Sequence, residues 1–460
     1  MILYPAFKDK WIREYLPGEH ANRIVDSFKR FFERDYNKLP NRPRYRRSRS
    51  LRISERTATS PNAPLRPTET KLNSILKNLS TKARRLRILS SGGGRERRAF
   101  HGLRGWRTIS YLFLRRRASS AAQTSKLFKP IKVGALDLQH RIVLAPLTRG
   151  RADALGVPAS YAADYYSQRA TPGGLLITEG TFVSLEASGR PFSPGIYSKE
   201  QIEAWKHVTD AVHAKGAFIL CQLWALGRIA EPDLVPAVLS PGSQPFFEDD
   251  DITRKIPDKF TVMSEADIDD FLQSTSNDRT DQYGGSIENR IRFPLRVVNA
   301  VSDAIGPQRV GVRVSPFTRF QGMREAEPLS LFVPWAQAIV DAQPRIAYIH
   351  AIEPRADGSI DTPEHLRKVE DTLAPIREVA TRAGVQFIVA GGYTPEKALQ
   401  HTSETDDLVA FGRHFIPNPD LPARIKNGWL LTKYDRSVFY EVNEVGYSDY
   451  PVYNIETATA

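Results

Sequence analysis

Cysteine is almost absent from this chain: Cys221 is the single one among 460 residues. A lone thiol excludes a disulfide framework and favours a reducing compartment, so a cytoplasmic protein is expected. Long apolar runs are absent as well. No stretch approaches the roughly 18 consecutive apolar residues of a membrane-spanning helix. No apolar h-region follows the first residues, and no secretory leader is expected. Acidic residues are scarce in one region only. Residues 1–124 hold 9 of the 52 Asp+Glu but 30 of the 65 Lys+Arg. The formal charge of +13 therefore belongs to that segment, and residues 125–460 carry a net −8. A basic balance over the whole chain says nothing about partners of the larger part.

What is present divides the chain in two. Residues 1–124 form a basic segment of low order. Within it, 1–38 has helical patterning: "DKWIREYL" and "ANRIVDSFKRFFERDY" place apolar residues at about 3.6-residue spacing. Residues 39–124 alternate basic runs such as "RPRYRRSRS", "KARRLR" and "LRRRASS" with Ser, Pro and Gly. Such a composition cannot bury enough surface to fold alone. It reads either as a nucleic-acid-binding arm or as a solvated tail. The tail is the preferred reading, because a charge run alone identifies no partner, and nucleic acid is not an expected partner.

From residue 125 the pattern turns to strands alternating with helices. Seven short apolar, β-branched runs appear: "RIVLAPL" (141–147), "LLITEGTF" (175–182), "AFILCQLW" (217–224), "RVGVRVSP" (309–316), "IAYIHAIE" (346–353), "QFIVAGG" (386–392) and "LVAFGR" (408–413). Runs of this kind suit parallel strands buried on both faces. Between the second and third lies an amphipathic helix over 198–216, with Ile202, Trp205, Val208 and Val212 on one stripe, Ser198 opening it and Gly216 closing it. Repeated βα units predict an α/β fold, a TIM (β/α)8-type barrel over 125–460. That fold needs an eighth strand, and it is missing between Trp224 and Arg309. There "DLVPAVLS" is broken by Pro236, and "KFTVMS" reads as part of a loop hairpin. Further on, "SEADID" starts a helix with Ser264 in capping position, but "QSTSND" breaks it almost at once.

Barrels of this type bind ligands at the C-terminal ends of their strands. Those ends read Ala145-Pro146-Leu147-Thr148, Glu179-Gly180-Thr181, Gln222-Leu223-Trp224, Arg313-Val314-Ser315-Pro316, Ala390-Gly391-Gly392 and Gly412-Arg413. The last two suit a phosphate: glycines admit oxygens close to backbone N–H groups, and Arg413 adds a charge-assisted bond. Taken alone, Gly391 and Gly392 serve equally well as turn glycines. Arg313 ends an apolar strand, where a cation needs an anionic partner, either a carboxylate or a ligand. Gln222 offers both a donor and an acceptor to the edge of a heterocycle.

The stretches "RIVLAPLTRGRA", "LLITEGTFVS", "CQLWALGR", "SNDRTDQYGGSIENR", "VGVRVSP", "LVAFGRHFIPNPDL" and "KYDRSVFY" occur in order. Through them, residues from about 125 to 454 resemble the Old Yellow Enzyme family of FMN-dependent ene-reductases. The resemblance implies a flavoprotein that reduces activated C=C bonds, such as those of α,β-unsaturated carbonyls, with NADPH or NADH as hydride donor. It implies that Pro146, Leu147 and Thr148 lie against the flavin ring, with Gly180 packed nearby. Gln222 would bond the pyrimidine edge and Arg313 the N1 side. Gly391, Gly392, Gly412 and Arg413 would hold the phosphate, Phe439 and Tyr440 would close over the cofactor, and Trp224 would line the substrate side. Each of these aromatics, taken singly, reads as core packing. The implied partner is a small enone-type molecule; the implied state is a monomer or homodimer, with no metal.

The resemblance also implies a gap. In the family the fourth strand carries a His with an Asn, or a second His, to polarise the substrate oxygen. A Tyr that protonates the α-carbon follows shortly after. Here Ile268 to Phe271 joins what should flank that βα unit, and none of the three is found. His207 and His213 fall on the helix before the third strand, His350 is structural by its family counterpart, and His414 follows the phosphate-site arginine. Removal of the unit predicts two bare edges in a parallel sheet. Two further readings follow: a truncated member that binds FMN and lacks ene-reductase activity, or a nucleic-acid-associated protein acting through its basic segment.

Overall fold

The computed structural model describes residues 2–3, 122, 124–243, 261–262, 272–358 and 360–454, all within one compact unit. Most of the basic segment, including the expected helices of 1–38, lies outside the described residues. So do Ser264 and the junction Ile268–Phe271.

Among the described residues, seven parallel strands form the barrel wall. They are β1 (Ile142–Leu144), β2 (Leu175–Phe182), β3 (Phe218–Trp224), β4 (Gly311–Val314), β5 (Tyr348–Ile352), β6 (Gln386–Ala390) and β7 (Leu408–Phe411). They pair in the order β3-β2-β1-β7-β6-β5-β4, so chain neighbours lie side by side everywhere except between β3 and β4, and β1 closes on β7. Helices lie between and after the strands: α1 (Ala162–Arg169), α2 (Lys199–His213), α3 (Ile287–Ile305), α4 (Pro328–Ala342), α5 (Ala374–Arg382), α6 (Pro395–Glu404) and α7 (Leu421–Asn427). Among the described residues the fold is a (β/α)8-type barrel with seven of the eight parallel strands.

The expectation of two bare edges is corrected by a two-residue segment. Between β3 and β4 the pair Ile2–Leu3 runs antiparallel, with Ile2 opposite Gln222, Leu3 opposite Cys221 and Ile2 also opposite Gly311. Backbone N–H and C=O groups are the same in any residue, so a short segment from elsewhere in the chain can occupy a vacated ladder position. A second correction concerns "KFTVMS". Thr261–Val262 pairs in parallel with Leu239–Ser240, so the two are not arms of a hairpin.

Local chemistry explains the elements. All eight residues of β2 are buried, which suits a run covered by helices on one face and core on the other. Helix α2 begins with a capping box: Ser198 Oγ accepts from Gln201 N, and Gln201 Oε1 accepts from Ser198 N. Trp205, Val208 and Val212 of its stripe are buried against the sheet, and Ile202 is half-buried. The apolar core has two layers. One lies between helices and strands and contains Trp205, Ile219, Leu331, Trp335, Ile349 and Phe411. The other fills the barrel interior with Val143, Ile177, Leu220, Tyr348, Ile388 and Leu408. The hairpin Ile131–Val133 and Leu136–Leu138 belongs to the interior layer through Val133, Leu136 and Leu138. Ala135 N donates to Gln308 O, just ahead of β4, so this hairpin stoppers the N-terminal end of the barrel. The opposite, C-terminal end is the open one.

Candidate active site

Every residue singled out at a strand end falls on that open rim, because parallel strands deliver their C-terminal ends to one side. Burial fades there as it should at the mouth of a cleft. Pro146 and Gly180 are buried, whereas Leu147, Thr148, Gln222, Trp224, Arg313, Gly391, Gly392, Gly412 and Arg413 are half-buried. Gly180 stands opposite Gln222 across the β2–β3 pair. A Cβ on Gly180 would come within 2.5 Å of Trp224 Cε3, so only glycine lets the indole lie flat there. Trp224 stacks on Phe182 with ring centroids 5.2 Å apart. Gly412 faces the Leu147 side chain, whose Cδ2 would be 3.1 Å from an added Cβ.

Arg313 is the electrostatic oddity of the rim. Its Nε is sealed from solvent and has no hydrogen-bond partner, and burial lowers its guanidinium to about 10. No carboxylate pairs with it among the described residues. Its neighbour across the β4–β5 pair is His350, fully buried, with neither ring nitrogen hydrogen-bonded. Burial, and then the Arg313 charge, holds this imidazole well below its ordinary range and therefore neutral. The Tyr348 hydroxyl is also buried without a partner. A cation with a sealed, unpaired N–H is costly unless a ligand acceptor completes it. The donor set thus fits an anionic or carbonyl-bearing heterocycle at this end of the sheet.

The glycine end is built differently from what the sequence suggests. Gly391 and Gly392 have φ of +112° and +65°, conformations that side chains resist, so both are needed for the backbone path. Arg413 is not free. Its Nη2 donates to Asp361 Oδ1 at 2.5 Å and its Nη1 reaches the Tyr434 hydroxyl at 3.4 Å. The Arg413 hydrogen bond holds the Asp361 carboxyl below the usual range. Arg355, just past β5, donates from Nε to Gly391 O and lies over the Tyr393 ring at 4.3 Å. Sequence reasoning missed both Arg355 and Asp361. Neither ends an apolar strand, and the loop that brings them to Gly392 is visible only in three dimensions.

A second omission is the pair Arg149 and Arg151, just after β1. Both are buried, and both donate to backbone carbonyls of the C-terminal segment. Arg149 donates to Phe439 O at 3.2 Å and Gly446 O at 2.7 Å. Arg151 donates to Phe439 O, Val438 O, Asn443 O and Val445 O at 2.8–2.9 Å, and to Arg149 O at 2.8 Å. Glu179, buried at the end of β2, accepts from the backbone N–H groups of Arg149 and Gly150, and burial raises its carboxyl above the usual range. The C-terminal segment is thereby clamped against the β1 and β2 ends. It carries Phe439, which is buried, and Tyr440, which is half exposed beneath the Arg190 guanidinium.

The remaining histidines do not gather at the rim. His207 and His213 lie on α2. His414 stands edge-on to Tyr434, and burial followed by the Arg413 charge lowers its pKa. Among the described residues, no group of three or more His, Cys, Asp or Glu is placed to hold a metal, and no helix is long and apolar enough to cross a membrane.

Comparisons with known proteins converge. The profile of the NADH:flavin oxidoreductase / NADH oxidase family matches in two stretches, 126–270 and 267–431, which meet at the junction described above. The flavin oxidoreductase hxnT of Emericella nidulans is 39% identical, the match covering 72% of this chain and 99% of the relative. The 12-oxophytodienoate reductase 1 of Oryza sativa subsp. japonica is 41% identical over 72% of this chain and 94% of its own. Among solved structures, morphinone reductase in complex with tetrahydroNAD superposes with a TM-score of 0.61 at 35% identity, covering 72% of this chain and 98% of that one. The old yellow enzyme homologue from Zymomonas mobilis gives 0.63 at 33% identity, over 71% and 100%.

Proposed function

Starting from the fact that the chain belongs to the NADH:flavin oxidoreductase / NADH oxidase family, we propose that it is an FMN-dependent, NAD(P)H-linked oxidoreductase acting on activated C=C bonds of small enone-type molecules. The observation that carries this reading is Arg313, a rim cation whose sealed Nε–H has no partner among the described residues. Bound FMN would supply the redox chemistry by which a hydride from NAD(P)H reaches the β-carbon of the alkene, the α-carbon taking its proton from solvent. The protein's part is to bind, orient and enclose. Arg313 offers positive charge and an N–H to the pyrimidine side of the ring, which favours the reduced, anionic form. Gln222 presents its amide beside it. Pro146, Leu147 and Thr148 form one wall, and Gly180 leaves room for Trp224 on the substrate side. Gly391, Gly392, Gly412 and Arg413 take the phosphate, and Phe439 and Tyr440 cover the cofactor. The single cysteine supports a cytoplasmic setting.

One observation limits the second half of the reaction. Among the described residues the sheet has seven parallel strands, and the family match is divided where the unit with the oxygen-polarising residues belongs. Among the described residues, none of the chain's histidines takes that role. Oxyanion donors contribute about 10²–10³ in rate, so loss of the pair slows hydride delivery to an enone. Anaerobic stopped-flow measurements separate the two halves. Flavin bleaching by NADPH is expected at a rate near that of an intact relative, and reoxidation by cyclohexenone at least about 10²-fold slower. Absence of bound flavin overturns the cofactor reading. Reoxidation as fast as in an intact relative overturns the argument from the missing unit.

A further inference from the structure

The phosphate end of the rim holds more charge than a single phosphate-binding arginine explains. Arg413 points at Asp361, and Arg436 and Arg367 are close enough to pull the same carboxyl down. Arg355 is anchored through Nε to Gly391 O and by its face to Tyr393, yet its Nη2 is buried with no hydrogen-bond partner. Both groups border the glycine turn: an added Cβ on Gly392 would lie 3.3 Å from Arg355 Nε and 3.7 Å from Asp361 Oδ1. One carboxylate therefore sits among several guanidinium groups, directly over the backbone that is shaped to admit an anion.

The loop carrying this carboxylate is fixed by other contacts. Asp357 accepts from the Thr318 hydroxyl and from Arg319 N and Phe320 N. Thr362 N donates to Arg355 O, and the Thr362 hydroxyl donates to Pro354 O. The Asp361 side chain itself is 56% exposed, and among the described residues Arg413 alone hydrogen-bonds its carboxyl oxygens. It can swing into solvent by side-chain rotation while the short ladder of Ala356–Asp357 with Ile360–Asp361 stays in place.

We propose that Asp361 is a resident counter-ion that fills the phosphate seat until a phosphate-bearing cofactor displaces it, and that Arg355 is a second cation of that seat. The inference rests on the FMN reading and deepens it: these two residues set how strongly the site prefers a flavin with a phosphate over one without. A phosphate ester brings more charge and more acceptor oxygens than a carboxylate, so it can engage Arg413, the open Nη2 of Arg355 and the glycine N–H groups together. Asp361 lowers the net gain, because its pair with Arg413 must be broken first.

The test compares FMN with riboflavin on the full chain freed of flavin, by quenching of flavin fluorescence. Asp361→Asn is expected to raise the preference for FMN over riboflavin about two- to five-fold, the worth of a largely exposed ion pair. Arg355→Gln is expected to lower it about ten-fold, the worth of a charge-assisted hydrogen bond, with Arg355→Lys partly restoring it. Riboflavin affinity changes little in either variant, which separates a phosphate effect from general damage, and thermal melts confirm folding. A lower FMN preference in Asp361→Asn would make the carboxylate a positioning group for Arg413 and overturn the proposal. An unchanged preference in both variants overturns it too. If the unaltered chain binds neither flavin, the cofactor reading itself fails and takes this inference with it.

Discussion

Replacing Arg151 with Met tests how the C-terminal segment is held. The Met stem keeps much of the packing volume and removes the guanidinium. Five hydrogen bonds are lost, to Asn443 O, Arg149 O, Phe439 O, Val438 O and Val445 O. They do not count equally. The bonds to Arg149 O and Phe439 O are buried, whereas the other three lie partly open, where water can replace the lost donor. Each stranded buried carbonyl costs about 1–3 kcal/mol, although Phe439 O keeps a bond from Arg149 at 3.2 Å. Removing a buried cation gives part of this back. The net expectation is a loss of about 2–4 kcal/mol. For a domain of this size that is a fall of roughly 3–6 °C in Tm. Because Phe439 and Tyr440 ride on this segment, FMN release should also accelerate, which flavin fluorescence reports directly. Arg151→Lys keeps the charge but loses the five-donor fork, so it should recover only part of either effect. A Tm within about 1 °C of the unaltered chain, with unchanged flavin release, would refute the view that this arginine clamps the segment.

Three further outcomes follow from single sites. His140 is buried, with Nε2 against the Thr171 hydroxyl at 2.7 Å and Nδ1 accepting from Ile142 N, and burial pushes its pKa down to about 4 from an ordinary 6.5. The folded state thus prefers the neutral ring. Its contribution to stability is complete above pH 6.5 and is lost as pH falls toward 4, a change of at most about 3 kcal/mol, so His140→Gln should flatten the acid limb of a Tm-versus-pH profile. Gly180→Ala drives a Cβ to within 2.5 Å of Trp224 Cε3 and should cost about 1–3 kcal/mol, with a changed near-UV circular dichroism from the Trp224–Phe182 stack; an unchanged spectrum would contradict the geometry. Arg313→Met should raise the Tm of the flavin-free chain, because a sealed and unpaired donor is removed, while weakening FMN binding; a lower Tm in the flavin-free state would show that the cation has a partner within the protein.

How much was legible follows a physical division. Strands buried on both faces must be apolar throughout, so "LLITEGTF" and "QFIVAGG" announced β2 and β6 without any neighbour's help. Helix α2 was equally plain, because Ser198, Gln201 and the Trp205–Val208–Val212 stripe are local in the chain. The rim residues at strand ends were readable for the same reason: parallel topology alone sends Pro146, Gln222, Arg313 and Gly412 to one side. Thr261–Val262 was misread as part of a hairpin because two residues carry no periodicity, and only pairing reveals their direction.

The sequence by itself determined the alternation of strands and helices, the seven parallel strands found among the described residues and the side of the sheet to which their ends point, since each rests on spacing along the chain. Tertiary structure decided the rest. It placed Ile2–Leu3 beside Cys221, Gln222 and Gly311, turned Arg149 and Arg151 toward carbonyls nearly 300 positions away, and set Asp361 on Arg413. Those contacts join backbone carbonyls and lone charges, which every sequence contains, and only the folded path of the chain selects which of them meet.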